Sequence, residues 1–153
     1  MSVSGGMSFD ESIWDHKEFE WTGKTFFYVP LIHLFSQPLG LGNKLVSLNR
    51  ELRTGGYKTV NSMILIKYAP WKGRAMVEVT KLDKYDADLV TYEIPTTALT
   101  LVYRGDSTGI SQAVNRLKEM VYARKSMEPR EIYYLYVPGA KGSNSKTILF
   151  ALV

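Results

Sequence analysis

Apolar residues recur along this chain with two periods, and the switches between them mark out its elements. Residues 24–35 and 61–69 are rich in β-branched and aromatic side chains and run up to Pro38 and Pro70, so both predict strands. Pro30 inside the first predicts an edge or a bulge. Between them Leu41, Leu45, Leu48 and Leu52 recur at helical spacing, and Gly55-Gly56 closes that helix. Residues 74–80 alternate as a further strand after the turn at Trp71-Lys72-Gly73. The second half runs in the same order. Residues 89–94 and 98–103 are strand-like around Pro95, and the loop 105–109 carries helix-capping residues. Ile110, Val114, Leu117 and Val121 form the next helical stripe, widened by Ala113 and Met120. Residues 131–137 and 146–153 predict the last strands, with a turn at 141–145 between them. Residues 8–22 are acidic and aromatic and follow neither period. They predict a short helical turn or an arm that lays Trp14 and Trp21 on the body.

The two halves align with each other. A shift of about 69 residues sets Ile32 on Leu101, Gly40 on Gly109, Leu41 on Ile110, Leu45 on Val114, Leu48 on Leu117 and Leu52 on Val121. A shift of about 68 sets Tyr68 on Tyr136, Pro70 on Pro138 and Met63 on Glu131. The expected fold class is α+β, a tandem duplication of a strand–helix–strand–strand unit with antiparallel sheets and the helices on one side. The expected organisation is a tag-like segment and arm over 1–22, then one domain over 23–153 with repeats of about 23–85 and 86–153. A single helix covers one sheet face, so two such units are expected to leave their other faces on a shared ligand groove.

The strand at 131–137 carries the most pointed chemistry. Alternation puts Glu131, Tyr133 and Leu135 on one face and Ile132, Tyr134 and Tyr136 on the other. A carboxylate on a buried face must be paired, hydrated or put to use, because burying a bare charge is costly. The simpler reading has Glu131 open the strand in solvent beside Arg130.

Bulk composition narrows the classes. With 153 residues the chain suits a single domain. Ten tyrosines and three tryptophans point to an amphipathic cavity or surface as well as a core. The net charge of +4 comes from dispersed lysines and arginines, so direct nucleic-acid binding is not expected. The absence of cysteine excludes disulfides and thiolate chemistry. No apolar run nears the ~18 residues that span a bilayer, so no membrane partner and a cytoplasmic location are expected. Residues 1–7 read as a cloning remnant or an alternative start and lack the pattern of a secretion signal.

Several motifs fall away on inspection. Gly40-Leu-Gly-Asn-Lys-Leu45 lacks the third glycine and the later acid of a dinucleotide loop. His16 and His33 are the two histidines and lie far apart in sequence, so neither a metal nor a cofactor is expected. No serine sits in a hydrolase elbow. Trp71 either caps a sheet edge or closes over a flat ligand, and Tyr103 and Tyr92 are the tyrosines expected to join it.

On Ile94-Pro95 with Leu99-Thr-Leu-Val-Tyr-Arg-Gly105, on the helix at 110–121 and on Glu131-Ile132-Tyr133, the chain resembles the GyrI-like family. That family comprises small-molecule-binding modules also found behind DNA-binding domains in multidrug-responsive regulators. The likeness covers roughly residues 24–153, and the order of the motifs carries it. It implies a tandem strand–helix–strand–strand fold with a central pocket, a pocket glutamate at Glu131 and a neighbouring tyrosine at Tyr133. Arg104 stands where the family often has histidine, and no helix-turn-helix segment precedes the domain.

The implied function is a stand-alone binder of flat, lipophilic compounds, cationic ones included, with Glu131, Tyr133, Trp71, Tyr103 and Tyr92 as ligand contacts. A second reading is a hydrolase that opens the cyclopropane ring of DNA-alkylating natural products. There Glu131 activates water as general base and Tyr133 assists. A third is a gyrase-inhibitor-like protein that meets a topoisomerase through the acids Asp10, Glu11, Asp15, Glu18 and Glu20, whereas a separate regulator chain is the protein partner expected for the binder.

Overall fold

A computed structural model describes residues 10–80, 87–137 and 145–153. In chain order the elements are α1 (Glu11–Trp14), β1 (Glu18–Glu20), β2 (Thr25–Leu34), β3 (Gln37–Pro38), α2 (Leu41–Thr54), β4 (Thr59–Lys67) and β5 (Lys72–Val79). Then come β6 (Leu89–Thr91), β7 (Thr97–Arg104), a 3-10 turn at Ser107–Gly109, α3 (Ile110–Lys125), β8 (Glu131–Tyr136) and β9 (Lys146–Leu152). The chain is thus mixed α+β with antiparallel strand pairing and, among the described residues, three α-helices. Residues 1–7, the repeat boundary at 85/86, the Pro138-Gly139 stop and most of the turn at 141–145 lie outside the described residues.

The chain divides into two compact units. Glu20–Thr96 form a central unit, and the chain up to Phe19 joins Thr97–Val153 in a terminal unit. In the central unit β5 lies between β2 and β4, with Thr25–Ile32 registered against Val79–Lys72. Along β2, burial alternates from Tyr28 onward: Val29, Leu31 and His33 are buried while Pro30, Ile32 and Leu34 are exposed. The inward set shares its face with Ala75 and Val77. Helix α2 packs on β2 and β5 and buries Leu48 and Leu52, whereas Leu41 and Leu45 are half-buried at the edge of the stripe.

The end of α2 follows from its glycines. Gly56 takes φ +71, the Tyr57 amide reaches back to the Leu52 carbonyl at 3.0 Å, and the Tyr57 ring then packs on Phe27 at 4.8 Å. The short strand β6 pairs with β2, so the stretch read as opening the second repeat closes the central sheet instead. The reason is aromatic: Tyr92, just past β6, packs edge-on against Trp21 and Phe26, and Thr91 meets Thr25 through their hydroxyls at 3.0 Å.

In the terminal unit β9 lies between β7 and β8 and is registered with both, Phe150 standing between Thr100 and Tyr133. Asp106 accepts from the Thr108 amide and starts the turn that leads into α3. Ile110, Ala113, Val114, Leu117 and Val121 are all buried on that helix, as their spacing predicts. Ser126 ends it at φ 56 with its amide on the Tyr122 carbonyl. The Tyr103 ring lies against Gly105 and Gly109 at the start of α3. The face of β7 that carries Leu99, Leu101 and Tyr103 is therefore the one the helix covers.

Three polar side chains are buried among the described residues of the central unit, Thr25, His33 and Thr96, and the histidine is the one that can titrate. His33 is 1% exposed, neither ring nitrogen makes a well-directed hydrogen bond, and a side chain at Gly73 would strike its ring. Burial holds its proton affinity below the ordinary value, and the Lys67 carbonyl offsets part of this.

Two outcomes are expected. Leu48 and Leu117 are both 0% exposed, so Leu→Ala at either should cost about 2–5 kcal/mol in denaturant unfolding. A loss below about 1 kcal/mol would show that the helix face is wrongly assigned. The unfolded chain protonates His33 near 6.5 and the folded chain resists the proton. Stability from this group is thus complete above that value and declines as pH falls below it, by up to about 1.4 kcal/mol per pH unit. Urea titrations near pH 7.5 and 5 should show this decline, and His33→Leu should reduce it.

Candidate functional site

The register of the terminal sheet decides which side chains share a face. Glu131 pairs with Leu152, Tyr133 with Phe150 and Leu135 with Ile148, while β9 pairs in turn with Ala98, Thr100 and Val102 of β7. These residues occupy the face turned away from α3. Glu131 is half-buried and Tyr133 is 0% exposed. The Tyr133 hydroxyl donates to Oε2 of Glu131 at 3.1 Å. Arg130 gives a guanidinium N–H to the Val153 carbonyl at 3.0 Å, and its amide bonds to Leu152.

The arm lies on the same face. Trp14 meets Phe150 edge-on at 6.0 Å and Phe19 at 5.3 Å. The Thr100 hydroxyl donates to the Trp14 carbonyl, and the Thr100 amide donates to the Lys17 carbonyl at 2.9 Å. The Val102 amide donates to Asp15 Oδ1 at 2.9 Å. Glu11 accepts from Arg104 and pairs with Lys146 at 3.2 Å. Glu18 pairs with Lys125 at 2.9 Å and Arg124 at 3.5 Å. The Arg104 guanidinium holds the Glu11 carboxyl below the usual carboxylate range, and Lys125 does the same for Glu18. Within residues 10–22 a short helix and β1 carry these contacts of Trp14, whereas Trp21 belongs to the central unit and packs on Phe26 at 5.0 Å. Sequence gave no sign that Phe150 would stand between Tyr133 and Thr100. Alternation in 146–153 puts Phe150 on a face with Ile148 and Leu152, but which strand flanks β9 on each side depends on pairing.

Of the other expected contacts, Tyr103 belongs to the terminal unit, and Tyr92 and Trp71 to the central one. Tyr103 is on the helix-covered face of the terminal sheet, opposite Glu131, and donates its hydroxyl to the Asp106 carbonyl at 2.9 Å. It serves the loop before α3. Tyr92 and Trp71 belong to the central unit and sit at opposite ends of β2. Tyr92 is 8% exposed within the Trp21–Phe26 cluster, whereas Trp71 is largely open and lies 5.7 Å from the Phe35 ring. The face of the central sheet turned away from α2 holds a further aromatic contact, Arg74 over the Tyr28 ring at 5.1 Å.

Chemically, the Glu131–Tyr133 pair can present a fixed negative charge beside rings, or hold a water between a carboxylate and a phenol. Among the described residues no cluster of three or more histidine, cysteine, aspartate or glutamate side chains could hold a metal ion.

If the ion pairs fasten the arm, Glu11→Gln should speed hydrogen exchange of the Thr100 and Val102 amides by about two- to fivefold, the scale of exposed ion pairs. An unchanged rate at both amides would place the hold on Trp14 instead.

No protein-family model and no curated protein sequence matches this chain.

Proposed function

We propose that the chain is a small-molecule-binding module of GyrI-like build, holding flat, lipophilic compounds, cationic ones included, against aromatic rings and the Glu131 carboxylate. One observation carries the reading: the fully buried Tyr133 phenol is bonded to half-buried Glu131 on a sheet face that also bears Phe150 and Trp14. A phenol donor fixes the carboxylate's orientation, so the charge is set before a ligand arrives. Ring faces attract a cation, and a carboxylate out of bulk water neutralises it strongly. Broad selectivity follows, since aromatic walls demand shape more than hydrogen bonds.

A tandem duplication with a groove fits the same reading. What supports it is a shared order of strand, helix, strand and strand in each unit, β2–α2–β4–β5 and β7–α3–β8–β9, in which β5 and β9 each lie between the other two strands of the set. Met63 is then the counterpart of Glu131, so the carboxylate belongs to one repeat alone.

The hydrolase reading draws on the same pair. Glu131 takes a proton from water as the water oxygen bonds to a cyclopropane carbon and the ring C–C bond breaks. The electron pair of that bond passes to a conjugated carbonyl of the substrate, whose developing oxygen Tyr133 stabilises. The gyrase-inhibitor reading has less to draw on. Glu11 and Glu18 are engaged with Arg104, Lys146, Lys125 and Arg124, while Asp15 accepts from a backbone amide, so the acids of the arm serve the chain's own fold.

Glu131→Gln keeps the shape and removes the charge. Planar cationic dyes should bind more weakly by about 1–3 kcal/mol in calorimetry, and neutral aromatics of equal size should change little. Turnover of a cyclopropane substrate, if present in the wild type, should fall about a hundredfold or more with binding retained. Unchanged values in all three would remove Glu131 from the site.

A further inference from the structure

Two neighbouring turns of the central unit end in apolar side chains surrounded by water. Ile32, Leu34, Phe35, Leu39 and Trp71 are 57%, 48%, 77%, 49% and 55% exposed. They form one patch: the Phe35 and Trp71 rings are 5.7 Å apart, the His33 amide bonds to the Trp71 carbonyl, and the Leu39 amide bonds to Ile32. An exposed apolar cluster of this kind marks an interaction surface more often than an accident of folding.

The backbone beneath it sharpens the point. Leu34 pairs with Gln37, so Phe35-Ser36 is a two-residue hairpin turn, with φ values of 48 and 67. Such a turn favours glycine or asparagine, and a bulky residue there is disfavoured. Keeping phenylalanine in a strained, outward position is the pattern seen where a side chain has work beyond folding.

Charge identifies what the patch meets. Toward this end of the unit lie Lys44, Lys67, Lys72 and Arg74, while Glu51, the one acid of residues 25–77, sits near the other end of α2. Lys72 stands directly opposite Ile32 in the sheet, Arg74 opposite Pro30, and Lys44 lies exposed in the first turn of α2 just after Leu39.

We propose that this tip is a docking surface for an anionic lipid bilayer, with Phe35, Trp71 and the neighbouring aliphatic side chains entering the interface and the lysines meeting lipid headgroups. Tryptophan suits the headgroup level, with an apolar body and a polar N–H, and basic residues beside it add attraction to anionic lipid. A nucleic acid fits less well, since Ile32, Leu34 and Leu39 offer bases nothing to stack on. The contact lies on the surface, so it requires no helix able to cross a membrane, and none is present among the described residues. It revises the expectation of no membrane partner, which rested on spanning runs alone.

Flotation with phosphatidylcholine vesicles, with and without about a third phosphatidylserine, tests this at ~150 mM salt. The protein should float with the anionic vesicles, and brominated lipids should quench tryptophan fluorescence less in Trp71→Phe than in the wild type. Phe35→Asn combined with Trp71→Ser leaves the charge unchanged and should lower binding at least about tenfold. Both positions are exposed, so circular dichroism should show an intact fold in the variants. Equal binding of this double variant would mean mere attraction between opposite charges and would overturn the proposal. So would failure to float with either vesicle, or tight binding to a single-stranded oligonucleotide or to polyglutamate without vesicle binding.

Discussion

A helix can bury one face of a small antiparallel sheet and no more, and the fate of the second face shapes both units of this chain. In the central unit α2 takes the face of Val29, Leu31 and His33. Its opposite face keeps Tyr28 under Arg74 and ends in exposed Ile32 and Leu34. In the terminal unit α3 takes the face of Leu99, Leu101 and Tyr103. There the opposite face gathers Phe150, Tyr133 and Glu131, and the arm lies across part of it.

This division explains why one tyrosine of the sequence-based set stands apart from Glu131. Tyr103 and Tyr133 both belong to aromatic-rich strands, and composition alone treats them alike. The alternation of side chains within an antiparallel register sends one to the helix and the other to the carboxylate. The arm was legible as acidic and aromatic, yet its destination was not. Its carboxylates find Arg104, Lys146, Arg124 and Lys125, which lie some ninety or more residues away in sequence and come near only once the sheet and α3 have formed.

Elements with strong local signals were read closely. The stripe Leu41 to Leu52 predicted α2, and Ile110 to Val121 predicted α3, which continues for one more turn to Lys125. The strands at 24–35, 61–69, 74–80, 98–103 and 131–137 appear within a residue or two of their expected bounds. The stretch 89–94 was harder. Its strand identity is local, but its partner is β2, chosen by the packing of Tyr92 on Trp21 and Phe26. The polar burial of His33 was also hidden, because alternation predicts which face a residue takes and says nothing of whether a hydrogen bond awaits it.

The strand order has a consequence for how the chain acquires its shape. In each unit the strand that ends the strand–helix–strand–strand order, β5 or β9, lies between the other two, and in the central unit β6 is then added beside β2. On a ribosome, β2, α2 and β4 therefore emerge before the strand that joins them, and the same holds for β7, α3 and β8. Each of these three-strand sets waits for an insertion rather than growing by addition at its edge. Until that happens, the apolar faces of the earlier strands are held together only by their helix, and they stay open to wrong partners. The Glu131–Tyr133 face is the later of the two to be completed, since Phe150, which bridges Tyr133 and Thr100, arrives with β9.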